Sequence, residues 1–181
     1  MKKIVLILGL LFVATNAYAV EGAAGKEKEC PPPPPPSENL AQIRSLEGRW
    51  VGEGMDSAKP GENTVVEYHV TSAGSAVEEH ISPGTPHEMI SMYYDVKGKV
   101  AMTHYCAIGN QPVMELTSES PGKLTFSETA ASQSLLNGQM RMNGLTLEYP
   151  DKDTLLQTWT GLNADGTPML PTTVFKLKRT T

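Results

Sequence analysis

The chain lacks most of what usually declares a function. Its 181 residues include only two cysteines, Cys30 and Cys106, which excludes the disulfide-dense scaffold of small secreted domains. It has no long apolar run: the longest, Ile4 to Ala14, is about 11 residues, where a bilayer-spanning helix needs roughly 20. That predicts no transmembrane segment. It has no basic excess either, since 15 lysines and arginines face 20 acids. No patch is left to favour nucleic acid or an anionic membrane surface, and the scattered acids read as a solvated surface. Histidine is absent after His104. From Gly48 onward no apolar period of 3.6 is sustained, so a helical domain is excluded as well.

What is present divides the chain into three. Residues 1–19 carry a basic start at Lys2 and Lys3, the apolar run, and the small-residue site Ala17-Tyr18-Ala19, which together predict a secretory leader cleaved near Ala19. The chain is then expected to be exported, periplasmic or secreted. Loss of the leader removes two lysines and no acids, taking the balance from 15 and 20 to 13 and 20. Residues 20–37 have almost nothing to bury and include six consecutive prolines, Pro31 to Pro36. Polyproline is an extended helix without internal hydrogen bonds, so this reads as a stiff, disordered linker, or as an arm for a proline-recognising protein partner. In an oxidising compartment Cys30 and Cys106 can pair with each other, pair between molecules, or stay as thiols, and all three states are open.

Residues 38–181 read as one domain. A short helix is predicted from Ser37 to Leu46, with Ser37 as N-cap and Leu40, Ile43 and Leu46 on one apolar face. Ten alternating runs follow: 48–55, 64–71, 76–82, 87–96, 99–107, 112–119, 123–129, 139–149, 154–162 and 169–179. The breaks between them, such as Pro83-Gly84-Thr85-Pro86, Lys97-Gly98 and Asn163-Ala164-Asp165-Gly166, have turn compositions. Short connections join antiparallel neighbours, and closure removes the exposed edges. The expected fold is all-β: an antiparallel up-and-down β-barrel of about ten strands with a short N-terminal helix.

Chemistry gathers in Lys99 to Met114. Side chains alternate along a strand, so Met102, His104 and Cys106 share one face. Imidazole and thiolate suit soft metals or haem iron, and a thioether suits copper(I). A nucleophilic Cys106 needs a base, and His104, two positions away on the same face, stands roughly 7 Å off by strand geometry, so no catalytic residue is assigned. Val77 and Ile81 turn His80 outward and Glu79 inward, while Val66, Tyr68 and Val70 leave His69 with solvent. His87, beside Pro86, can reach a barrel mouth. The expected interior carries Trp50, Gly52 and Gly54, with Phe126, Gln157, Trp159 and Arg179 among its larger members. Glycines on an inner face leave space. A pocket lined by Met89, Met114, Met140 and Met142 with Tyr93, Tyr105, Phe126 and Trp159 would take an apolar or amphipathic molecule. Glu79, Gln157 or Arg179 would fix its polar end, and the Asn110 and Gln111 amides would rim its mouth.

The helix, then Leu46-Glu47-Gly48-Arg49-Trp50, then a meander ending in Phe175-Lys176-Leu177-Lys178-Arg179, resembles the calycin superfamily of lipocalins, fatty-acid-binding proteins and nitrobindin-like barrels. The resemblance implies that Arg179 packs over Trp50. Glu88-Met89-Ile90-Ser91-Met92-Tyr93 and His104-Tyr105-Cys106-Ala107-Ile108-Gly109-Asn110-Gln111-Pro112 are similar to a group of exported bacterial calycin-like proteins of unknown function. The lipocalins' C-terminal disulfide has no counterpart here, and neither does the C-terminal haem histidine of nitrobindin-like barrels. Three functions follow as expectations. The first is a non-catalytic binding protein for a small hydrophobic or amphipathic molecule, with no cofactor. The second is a haem, metal or thiol-redox protein using His104 and Cys106. The third is an envelope protein that meets partners through its polyproline arm.

Overall fold

A computed structural model describes residues 31–55 and 63–180. The expected leader and Cys30 lie outside the described residues. The fold is a closed antiparallel barrel of ten strands: β1 (Gly48–Glu53), β2 (Thr64–Thr71), β3 (Ala76–Ile81), β4 (Met89–Val96), β5 (Lys99–Tyr105), β6 (Val113–Ser120), β7 (Lys123–Glu128), β8 (Arg141–Asp151), β9 (Thr154–Leu162) and β10 (Thr173–Thr180). Each strand pairs with its sequence neighbours, and β1 closes on β10 with Trp50 opposite Arg179. The inward set Trp50, Val66, Tyr68, Val77, Tyr93, Met102, Met114, Leu124, Phe126, Leu147, Leu155, Phe175 and Leu177 is buried and forms one core. Alternation along each strand puts these residues on one face, and burial of that face holds the register.

Helix α1 (Glu38–Arg44) seals one end. Ser37 caps it, its Oγ accepting from the Leu40 N–H at 3.1 Å. The Ser37 N–H and hydroxyl in turn donate to Asp95 at the end of β4, at 2.7 and 2.6 Å. Leu40, Ile43 and Leu46 are fully buried against the core, contributing roughly 1.5 to 3 kcal/mol each. The Trp50 indole N–H donates to the Leu46 carbonyl at 2.8 Å. The Arg179 guanidinium lies 4.2 Å from the Trp50 ring centre and donates to the Ser45 carbonyl at 3.0 Å and to that of Glu47. This is the packing the calycin resemblance implies.

A second helix, α2 (Ala130–Leu135), stands where no helix is expected. Six residues are too few to show a helical period, and its signal is the cap: Thr129 Oγ1 accepts from Ser132 N–H at 3.2 Å. A buried ion pair fastens this corner, with Arg141 Nε donating to both Glu128 oxygens at 2.9 Å and Ser132 Oγ donating to Glu128 at 2.9 Å. The inner glycines do not make room. A Cβ at Gly54 would stand 2.9 Å from Phe175 Cδ1, so the neighbouring ring already occupies that space.

Candidate functional site

Among the described residues the end of the barrel away from α1 is open, and a cavity of about 210 Å³ lies in its mouth. Five methionines border it: Met55, Met89, Met140, Met142 and Met169. Cys106, Ala107 and Ile108 come from the end of β5 and the turn after it, and Trp159, Thr173 and Phe175 from β9 and β10. His87 and His104 are its imidazoles, and no Asp, Glu, Lys or Arg is among its described lining residues. Several of these residues, Met55, His87, Cys106, Met140 and Met169, belong to expected strands but fall just past the observed ends. The chain has left the ladder there while its side chains still turn into the mouth.

Beneath the mouth runs a row of polar side chains. Tyr68, Glu79, Ser91 and His104 are successive cross-strand partners on β2, β3, β4 and β5. Tyr68 and Tyr93 donate their hydroxyls to the two Glu79 oxygens at 2.7 and 2.8 Å. From across the barrel Gln157 Nε2 donates to Glu79 at 2.6 Å and to the Tyr68 hydroxyl oxygen at 2.7 Å. The Trp159 indole N–H donates to Gln157 Oε1 at 3.1 Å. Burial raises the Glu79 pKa, opposed by hydrogen bonds from Tyr68, Tyr93, Ser91 and Gln157. Burial, then the charge of Glu79, raises both tyrosines well above their ordinary value, so both stay protonated and donate.

His104 ends the row. Its Nδ1 lies 3.0 Å from Ser91 Oγ, and its ring packs on Trp159 with centres 4.6 Å apart. Ser91 also stabilises the charged form of Glu79, and with its hydroxyl turned to the carboxylate it accepts from Nδ1–H of His104. Nε2 then carries a lone pair. It is buried and meets no partner among the described residues. Burial lowers the His104 pKa to about 4, so the ring is neutral at physiological pH. Cys106 is half-buried, a free thiol 3.9 Å from Met89 Sδ, and burial raises its pKa.

The structure divides the expected site residues into three levels. Met89, His104, Cys106 and Trp159 border the cavity. Glu79, Tyr93 and Gln157 form the polar row below it, where their hydrogen bonds are already used, and Met102, Met114 and Phe126 are core. Trp50 and Arg179 are at the sealed end, so Arg179 does not reach the mouth. Tyr105 does not border this cavity; alternation places it opposite to His104, and it is 48% exposed. Asn110 does not rim the cavity either: its amide donates to the Met140 carbonyl at 2.8 Å and ties the turn after β5 to the start of β8. Sequence reading placed Tyr68 on the apolar inner face of β2, where it is buried, but gave it no part in the site, and it missed Ser91. A lone serine in a strand signals neither face, and only the cross-strand register brings Tyr68 to Glu79 and Ser91 to Glu79 and His104. No family profile matches this chain, and no curated protein matches it.

Proposed function

We propose that this barrel binds, without transforming, one small, largely apolar molecule in its mouth, and that a hydrogen-bond donor on the molecule meets Nε2 of His104. The observation that carries the reading is that buried nitrogen, without a partner among the described residues, beside a methionine-rich cavity whose described lining carries no Asp, Glu, Lys or Arg. A buried acceptor without a donor costs about 1 to 3 kcal/mol, and a ligand N–H or O–H removes that cost. A dry cavity of about 150 Å³ takes benzene. In proportion, 210 Å³ suits about eight to ten non-hydrogen atoms, with longer molecules protruding. Methionine side chains adapt to varied shapes, which favours a range of ligands over one. The direction of both shifts argues for holding over chemistry: His104 is kept neutral and the Cys106 thiol is raised, so no thiolate–imidazolium pair stands ready. The reading includes export by the expected leader and kinship with the exported calycin-like group. The barrel is compatible with a calycin-like fold.

Indole and indene test it, being nearly the same shape with and without an N–H. Calorimetric titration is expected to give saturable binding of indole, with indene weaker by about threefold to tenfold, the worth of one hydrogen bond. Equal affinities would remove the role given to Nε2, and no binding of either would remove the cavity as a ligand site.

A further inference from the structure

Sulfur is concentrated at the mouth. Five of the nine methionines and Cys106 border one cavity, and two of these sulfurs, Cys106 Sγ and Met89 Sδ, stand 3.9 Å apart. A thiol and a thioether make a weak hydrogen bond, but their spacing fits a shared ion. Metal–sulfur bonds of about 2.3 Å spanning that gap subtend about 116°, between the trigonal and tetrahedral angles. His104 and Cys106 both border the cavity, and the cross-strand partner of His104, Ser91, is two residues after Met89 on β4. The three residues thus form one patch, and Nε2 of His104 is its unsatisfied donor atom.

We propose that Met89 Sδ, Cys106 Sγ and His104 Nε2 form a site for one soft monovalent cation, Cu(I) or Ag(I). The ligand set selects by softness, since thiolate, thioether and imidazole favour Cu(I), while Mg²⁺, Ca²⁺ and Mn²⁺ seek oxygen. Charge selects as well. With no carboxylate among the described lining residues, one thiolate neutralises a monovalent ion, whereas a divalent ion would leave a positive charge in an apolar setting. Among the described residues no cluster of three His, Cys, Asp or Glu offers a competing site. Entry of the cation expels the Cys106 thiol proton to solvent, one positive charge in and one out, with no change of oxidation state. The site shares the cavity of the ligand reading above but does not rest on it.

The test uses the full chain carrying Cys30→Ser, so that the other thiol cannot contribute, titrated anaerobically with Cu(I) against a chromogenic Cu(I) chelator. One equivalent is expected to bind. Adding Cys106→Ser or Met89→Leu should weaken the affinity by at least about tenfold, each removing one soft ligand. Leucine conserves the volume of methionine, so Met89→Leu keeps the fold. Met92→Leu, on the outward face of β4, should change nothing. Absence of uptake, uptake unaffected by both mouth substitutions, or an equal loss in Met92→Leu would each overturn the site. Indole titration of Met89→Leu separates the two readings: indole binding kept while Cu(I) is lost supports the cation site, and loss of neither overturns it.

Discussion

His104 should make the protein acid-sensitive in one defined window. Burial holds its pKa at about 4, against 6.5 for an unperturbed histidine. The unfolded chain therefore binds a proton that the folded chain refuses between those two values. The sign follows directly: where the unfolded state binds more protons, stability rises with pH. The contribution is intact above about pH 7, is lost progressively below pH 6.5, and stops falling once the folded ring also protonates near pH 4. Linkage gives a loss of about 2 kcal/mol by pH 5 and roughly 3 kcal/mol by pH 4. Glu79, joined to His104 through Ser91, pulls the other way: its raised pKa lets the folded state take up a proton more readily as pH falls. The comparison must therefore be with His104→Gln, whose neutral amide can still reach Ser91 but does not titrate. Urea unfolding of both proteins at pH 7, 5.5 and 4 gives the difference. The two should draw apart by roughly 3 kcal/mol in favour of the variant across that range. Parallel curves would refute the burial of a neutral His104.

Other substitutions probe the remaining parts. Glu79→Gln removes the acceptor on which Tyr68, Tyr93, Gln157 and Ser91 converge and adds donors of its own, so denaturant unfolding should show a loss of about 3 kcal/mol. Arg141→Met leaves Glu128 buried without its cation and should cost about 3 to 5 kcal/mol by the same assay, while Arg141→Met combined with Glu128→Gln should recover a large part of it. Ile43→Ala opens the seal at the α1 end and should cost about 2 to 5 kcal/mol, with indole affinity unchanged because the cavity is at the other end.

Much of this barrel was legible from alternation alone, because a period of two maps directly onto inside and outside. On β3, Val77 and Ile81 already turn Glu79 inward and His80 outward, and the structure agrees: Glu79 is fully buried and His80 is not. Turn chemistry placed the strand ends to within a few residues, and β2 and β9 fall where the alternation starts and stops. The site was legible only in part, for two physical reasons. Glu79 and Gln157 meet across 78 positions of chain, a contact that exists only once the barrel closes, so no local pattern announces it. The mouth is built from residues just beyond the ladder, Met55, Cys106, Met140 and Met169, where strand alternation ceases to say which way a side chain turns. Glycine misleads for a related reason. An absent side chain suggests space, yet Phe175 on β10 and Thr64 at the start of β2 already close around Gly54.

The claim that the mouth is a binding site is tested most directly by the methionines themselves. With ¹³C-methyl-labelled methionine, an indole titration followed by NMR should shift the methyl signals of Met55, Met89, Met140, Met142 and Met169, which border the cavity, and move Met92 on the outer face of β4 little. Uniform small shifts, or none at saturating indole, would contradict the account.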